Sequence, residues 1–219
     1  EAARRRSPPS APAEMDHPTE RSSPEPAVAS RAFAKLDASL ERFGIVVADR
    51  SCADLGCNVG GFTDCLLRRG ARTVIALDVA YGVLAWRLRN DPRVTVKERT
   101  NALHAPPPEG GVDLVVIDLG WTPQRLALPA ARRWVRPGGE VVTLVKPHYE
   151  LLPEEKHLLD RGRLADEVAR TMVARLEPTL PALGFALVDA VESPIRGGKS
   201  GKGRAGEGNL EFLLHLRPR

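Results

Sequence analysis

The stretch SCADLGCNVGGFTDCLLRRGARTVIALD, residues 51–78, decides the fold. It opens on a short apolar run, turns through Gly56, Gly60 and Gly61, and continues with apolar residues at helical spacing. It closes on a second apolar run that ends at Asp78. Strand, glycine turn, helix and strand form the repeating unit of a parallel sheet, because parallel neighbours need a crossover between them. The alternation goes on downstream. A helix is expected over residues 83–89, strands at VTV (94–96) and VDLVVID (112–118), and a helix over 123–134. A strand follows at EVVTLVK (140–146), then one long helix over 153–180, then strands at FALVDAVE (185–192) and NLEFLLHL (209–216). Continuous apolar strands separated by helices predict an α/β, Rossmann-like fold: a seven-stranded, mostly parallel sheet with helices on both faces. The last two strands have no helix between them, so one of them is expected to run antiparallel.

Upstream, SRAFAKLDASLERFG (30–44) places Phe33, Leu36, Leu40 and Phe43 on one helical face, with Ser30 as N-cap and Gly44 as the stop. Residues 1–29 hold six prolines and almost no aliphatic residue larger than Ala. Such a segment buries too little apolar surface to offset its ordering entropy, so a disordered tail is expected, followed by one domain over 30–219. The basic run at 3–6 reads as solvated charge, and Met15 is a candidate initiator. No apolar run reaches the roughly 18 residues of a membrane helix, and no apolar segment of a signal peptide follows the first basic residues. A cytoplasmic protein is expected. Cys52, Cys57 and Cys65 fit no zinc-ligand spacing and read as buried thiols, with no metal. The net charge of +4 and pI near 9.2 favour a polyanionic partner, though only mildly.

In such sheets ligands bind beyond the carboxyl ends of the strands, so those loops carry the chemistry. After the first strand, Gly56, Gly60 and Gly61 let backbone approach a ligand closely, and Asn58 and Phe62 lie in the same turn. The spacing is not G-x-G-x-x-G, which disfavours a nicotinamide cofactor. Asp54 beside the loop disfavours phosphate and suits a cationic ligand, such as the amine and sulfonium of S-adenosylmethionine. Asp78, at the end of the second strand, is placed to accept the hydroxyls of a ribose. Asn101 is either an adenine contact or a plain turn residue. Asp118 and Lys146 end neighbouring apolar strands and emerge on the ligand side, as either a structural ion pair or part of a site.

Several stretches together resemble one family. DLGCNVGGFTDCLLRRGA, ALDVAYGVLAWRLRNDPRV, ERTNA, DLVVIDL, LVKPHYE and SPIRGG…GNLEFLLHL are similar to the hemolysin A-like (TlyA) branch of the FtsJ-type RNA 2′-O-methyltransferases. The resemblance runs over residues 30–216 and implies a Rossmann-like methyltransferase fold using S-adenosylmethionine, with RNA, ribosomal above all, as substrate. It implies a Lys-Asp-Lys-Glu catalytic set at Lys35, Asp118, Lys146 and Glu211. Without the resemblance, Lys35 reads equally as a solvated helix lysine and Glu211 as an outward strand residue. It implies cofactor contacts at Asp54, Gly56, Asn58, Gly60, Gly61, Phe62, Asp78, Asn101 and Asp118. In the chemistry so implied, Lys146 takes the proton of a ribose hydroxyl, with its pKa lowered by burial and by the like charge of Lys35.

The sequence also departs from that family. Residues 1–29 stand where an S4-type RNA-binding domain is usual, so RNA is to be held by this domain, a partner, or a domain outside the given sequence. The loop after Asp118 reads LGWTPQ, the glycine-rich motif beyond Glu150 is missing, and the loop before Glu211 is longer. That long loop carries Arg196, Lys199, Lys202 and Arg204, read either as a grip on RNA phosphates or as a solvated linker. Arg125, Arg132, Arg133 and Arg136 extend the same expected surface, and Trp121 either stacks on a target base or is buried. Two rival functions stand beside the main one. One is a methyltransferase fold retained only for RNA binding or ribosome assembly; the other is methyl transfer to a non-RNA substrate.

Overall fold

The computed structural model describes residues 27–198 and 208–219. Most of the expected disordered tail, up to residue 26, lies outside the described residues, as do Lys199, Lys202 and Arg204. Helix α1 (Ala32–Arg42) precedes a run of strands and helices: β1 (Ser51–Leu55), α2 (Gly61–Arg68), β2 (Thr73–Leu77), α3 (Trp86–Arg89), β3 (Val94–Lys97) and β4 (Val112–Ile117). Then come α4 (Gln124–Trp134), β5 (Val135–Val145), the single turn α5 (Pro147–Glu150), a hairpin of β6 (Leu159–Asp160) and β7 (Arg163–Leu164), α6 (Asp166–Leu176), β8 (Phe185–Glu192) and β9 (Phe212–Pro218).

Seven strands form one sheet in the order β3-β2-β1-β4-β5-β9-β8. β1 pairs in parallel with β2 and β4, β2 with β3, and β4 with β5, whereas β9 runs antiparallel to both neighbours. The direct step from β8 to β9 is therefore the antiparallel one, as a strand pair with no helix between its members requires. Alternate side chains of the strands feed two cores. Leu36, Leu40 and Leu66 of α1 and α2 pack with Cys52, Val116 and Leu144 on one face. Leu128, Trp134 and Met172 pack with Ala53, Leu55 and Val115 on the other. Burying both faces is what makes the strands read as unbroken apolar runs.

The helix ends follow the sequence closely. Ser30 Oγ accepts the Ala32 N–H at 3.2 Å, and Gly44 takes the left-handed conformation, φ +65°, just past α1. The three cysteines are free and buried, and burial pushes the Cys52 thiol up to about 12.

The long helix expected over 153–180 is wrong. Residues 153–158 form a 3-10 segment, Arg161 and Gly162 turn the chain at φ +49° and +81°, and only Asp166–Leu176 is α-helical. Pro178 and Pro181 then confine residues 177–183 to 3-10 turns, because proline has no N–H to donate. The helix expected over 83–89 is reduced to Trp86–Arg89, after the turn at Gly82.

Candidate active site

The glycine turn is fixed by the neighbouring strand. Gly56 and Cys57 donate their N–H groups to Leu77 O at 3.0 and 2.9 Å, which carries β1 over the end of β2. Gly56 (φ +96°) and Gly60 (φ +98°) both need the freedom glycine gives. A Cβ at Gly56 would stand 2.7 Å from the backbone oxygen of Asp118, and one at Gly60 would stand 2.3 Å from Leu88 Cδ1.

Beyond this turn lies a cleft of about 520 Å³, within the range of small-molecule sites. Gly56, Asn58, Asp78, Asn101, Asp118 and Lys146 line it. Asp78 spends part of its acceptor capacity on the Asn58 and Ala80 N–H groups, both at 2.8 Å, and the rest is open to a hydroxyl donor. Asn101 Oδ1 accepts the Leu103 N–H at 2.9 Å, so the turn role is filled, while the residue also faces the cleft. Gly61 and Phe62 line a smaller recess behind the turn.

Asp54 and Gly60 line neither space. Asp54 is fully buried, and its Oδ2 accepts the Thr63 hydroxyl at 2.6 Å, tying β1 to α2. Burial, reinforced by Asp118 and Asp78, pushes its carboxyl up to about 7, and Oδ1 has no hydrogen-bond partner. The turn therefore backs onto a strained carboxylate, an environment that suits a cation and opposes an anion.

A second cavity, of about 590 Å³, opens on the other side of Asp118 and Lys146. Lys35, Asp118, Lys146 and Glu211 all line it, brought together from four separate segments. They form two ion pairs. Lys35 Nζ donates to Glu211 Oε2 at 2.5 Å, and Lys146 Nζ donates to Asp118 Oδ1 and, at 3.3 Å, to Leu119 O. Lys35 and Glu211 are 7% and 3% exposed, so neither of the plain surface readings applies to them. Burial raises the Glu211 carboxyl, against the pull of Lys35. The two cavities share Asp118 and Lys146, which makes that pair the wall between them.

One expectation fails here in its direction. Burial works to lower the Lys146 pKa, but the adjoining Asp118 carboxylate outweighs it, and the pKa is raised above its ordinary value. Lys35 does not supply the expected like charge, because its own ammonium is matched by Glu211.

Around the second cavity, Trp121 is 85% exposed and stacks on Tyr149 at 4.9 Å between ring centroids. His148 lines the cavity with its pKa lowered to about 4 by burial and the nearby lysines, so the imidazole is neutral at pH 7. Arg196 is committed to Asp166 through contacts of 2.8 and 2.5 Å. Nor do Arg132, Arg133 and Arg136 gather at the site. Arg136 pairs with Asp113 at the amino end of the sheet, Arg133 caps Leu103 O, and Arg132 reaches Arg219 O. Sequence reasoning misses Arg161 and Arg163 on the cavity rim, since the expected helix over 153–180 runs through the hairpin that bears them. The dipeptide Arg161-Gly162 was the available signal.

Comparison with known proteins now places the chain. A family model described as FtsJ-like methyltransferase matches residues 28–202. The chain belongs to the FtsJ-like methyltransferase family. It is 41% identical over 198 residues to the 16S/23S rRNA (cytidine-2′-O)-methyltransferase TlyA of Mycobacterium tuberculosis, covering 88% of this chain and 69% of that protein. It is 38% identical over 191 residues to YqxC of Bacillus subtilis, a candidate rRNA methyltransferase, covering 85% of this chain and 64% of that one. Among solved structures, a candidate hemolysin from Lactococcus lactis superposes with a TM-score of 0.77 at 34% identity, covering 86% of this chain and 88% of that chain. The chain thus spans about two thirds of the length of these curated relatives. As an FtsJ-like methyltransferase it uses S-adenosylmethionine, and the cleft fits that group. It has the right size, and it carries Asp78 with acceptor capacity to spare.

Proposed function

We propose that this protein transfers a methyl group from S-adenosylmethionine to a ribose 2′-hydroxyl of RNA, with ribosomal RNA, free or in a subunit, as the substrate. One observation carries this reading: two cavities meet at the Asp118–Lys146 pair, with the Lys35–Glu211 pair in the wall of the second. A group-transfer site needs donor and acceptor held on either side of the reacting atoms, and most of the rate enhancement comes from that alignment. The activities named for the TlyA and YqxC relatives support the RNA assignment over a non-RNA acceptor. The complete set of four charged side chains supports an enzyme over a fold kept only for binding.

In this reading Gly56, Asn58, Asp78, Asn101 and Asp118 hold the cofactor, with Gly60, Gly61 and Phe62 shaping the turn and Asp54 buried beneath it, where a bound cation would favour its ionised form. S-adenosylmethionine supplies the electrophilic methyl. When bound, the cofactor would give that methyl to the ribose oxygen and leave as the neutral thioether, while Nζ of Lys146, as a neutral amine, takes the hydroxyl proton. Asp118 disfavours that neutral form, so turnover is expected to climb with pH through the neutral and mildly alkaline range. Lys35, held by Glu211, directs N–H donors at the hydroxyl oxygen and fixes its lone pairs. The exposed Trp121–Tyr149 stack offers a target base a flat apolar surface. Among the described residues no helix is long and apolar enough to cross a membrane.

The test is methyl transfer from labelled S-adenosylmethionine to deproteinised ribosomal RNA, and to subunits, from cells lacking the native methylation. Nucleotide mapping should place the label on a ribose 2′-oxygen. Label on a base, or on protein alone, overturns the reading.

A further inference from the structure

We infer that the β6–β7 hairpin is a phosphate clamp, in which Arg161 and Arg163 hold the RNA backbone beside the nucleotide to be methylated. The inference rests on the RNA reading above and adds to it the residues that grip the chain. Both arginines line the same cavity as the two ion pairs. There the lysines and carboxylates neutralise one another pairwise, Lys35 with Glu211 and Lys146 with Asp118. The arginines differ. Both are exposed, and among the described residues neither guanidinium forms a hydrogen bond or an ion pair. Asp160 stands opposite Arg163 in the hairpin register without forming an ion pair with it, and Asp166, the next acid along the chain, is already held by Arg196. The hairpin therefore gives the cavity a rim with two guanidiniums whose donors are not taken by any carboxylate among the described residues.

The turn does not ask for arginine. Arg161 sits at φ +49° ahead of Gly162 at φ +81°, a two-residue turn that Asn-Gly or Asp-Gly fills at less cost. The hairpin is also held in place relative to the ion pairs. Leu164 donates its N–H to Asn209 Oδ1 at 2.8 Å, and Asn209 Nδ2 donates to Gly162 O at 2.9 Å, two residues before Glu211. Leu164 is buried in the core as a second anchor. Two guanidiniums on a fixed, open rim suit the phosphates of a chain that passes over the cavity, because the fork of each matches two phosphate oxygens.

The experiment compares wild type with the double variant Arg161→Asn/Arg163→Gln on deproteinised, unmethylated ribosomal RNA at saturating S-adenosylmethionine. Asn keeps the left-handed turn and removes the charge. The expected result is a KM for RNA raised about tenfold or more, with kcat within about twofold, since phosphate contacts position the chain without taking part in the chemistry. The slope of log(kcat/KM) against log salt should become shallower by about 1.4, for two single-strand contacts at about 0.7 each. Arg161→Lys/Arg163→Lys should restore most of that slope. If the double variant does not fold, Arg163→Glu alone, at an exposed strand position, should raise KM with kcat kept. Unchanged KM and slope in a folded variant, with wild type active, overturns the clamp alone. A wild type that methylates no RNA overturns both the clamp and the function it rests on.

Discussion

Lys146 ends an apolar strand as a largely buried ammonium, and Asp118 is the neighbour that makes the position tolerable. The same pairing sets the chemistry. A lysine whose pKa is raised keeps its proton at pH 7, and below that pKa the neutral amine grows about tenfold per pH unit. The single-turnover rate should therefore rise with pH and level off only at strongly alkaline values. Asp118→Asn removes the largest influence that raises the pKa, so its pH–rate curve should move to lower pH even as its maximum falls. A curve that is flat from pH 6 to 9 would exclude Lys146 as the proton acceptor. Lys35 and Glu211 allow a stability prediction. Lys35→Met leaves Glu211 buried without its ion-pair partner, which should cost about 3–5 kcal/mol in denaturant unfolding. Lys35→Met/Glu211→Gln should recover a large part of that loss, because the stranded charge is gone.

At the scale of elements, the glycine turn and the β6–β7 hairpin mark where the sequence was legible and where it was not. Gly56 and Gly60 announce their turn because no other residue fits their backbone and surroundings. Gly56→Ala should lower S-adenosylmethionine affinity by at least about tenfold in calorimetry, since its Cβ meets backbone that cannot step aside. The strands were legible because burial on both faces writes itself as Val, Leu and Ile runs. The hairpin was not, because Leu164, Val168, Met172 and Leu176 recur every four residues, as on a helix face, and only Arg161-Gly162 just ahead of them breaks the pattern. Pairings over long separations were equally hidden. Nothing near Arg196 in sequence shows that Asp166, thirty residues earlier, takes its charge. In the same way, Lys35 is matched by Glu211 across 176 residues, and only the family resemblance singled out either one.

The whole molecule concentrates its electrostatic strain at the carboxyl ends of the strands. Asp54 is pushed up to about 7 beneath the glycine turn, and so is Glu150, which caps α4 through the Gln124 N–H at 2.9 Å. In both, burial is the main cause, and the folded carboxyl binds its proton more tightly than the unfolded one. Their contribution to stability is full below about pH 4 and is lost as pH rises toward 7. Glu150→Gln should therefore gain stability relative to wild type as pH goes from 5 to 8, by about 1–3 kcal/mol in urea unfolding. A difference that does not change with pH would show that the carboxyl is not strained. The ion-paired wall between the two cavities is the feature on which the functional account depends. Its most direct measurement is the single-turnover transfer of labelled methyl to unmethylated ribosomal RNA by wild type and by Lys146→Ala, with the methylated atom mapped and cofactor affinity measured alongside. The account predicts label on a ribose 2′-oxygen with wild type and a rate lower by about a thousandfold or more with Lys146→Ala, at a cofactor affinity within about threefold. Equal rates for the two proteins, or label on any other atom, would contradict it.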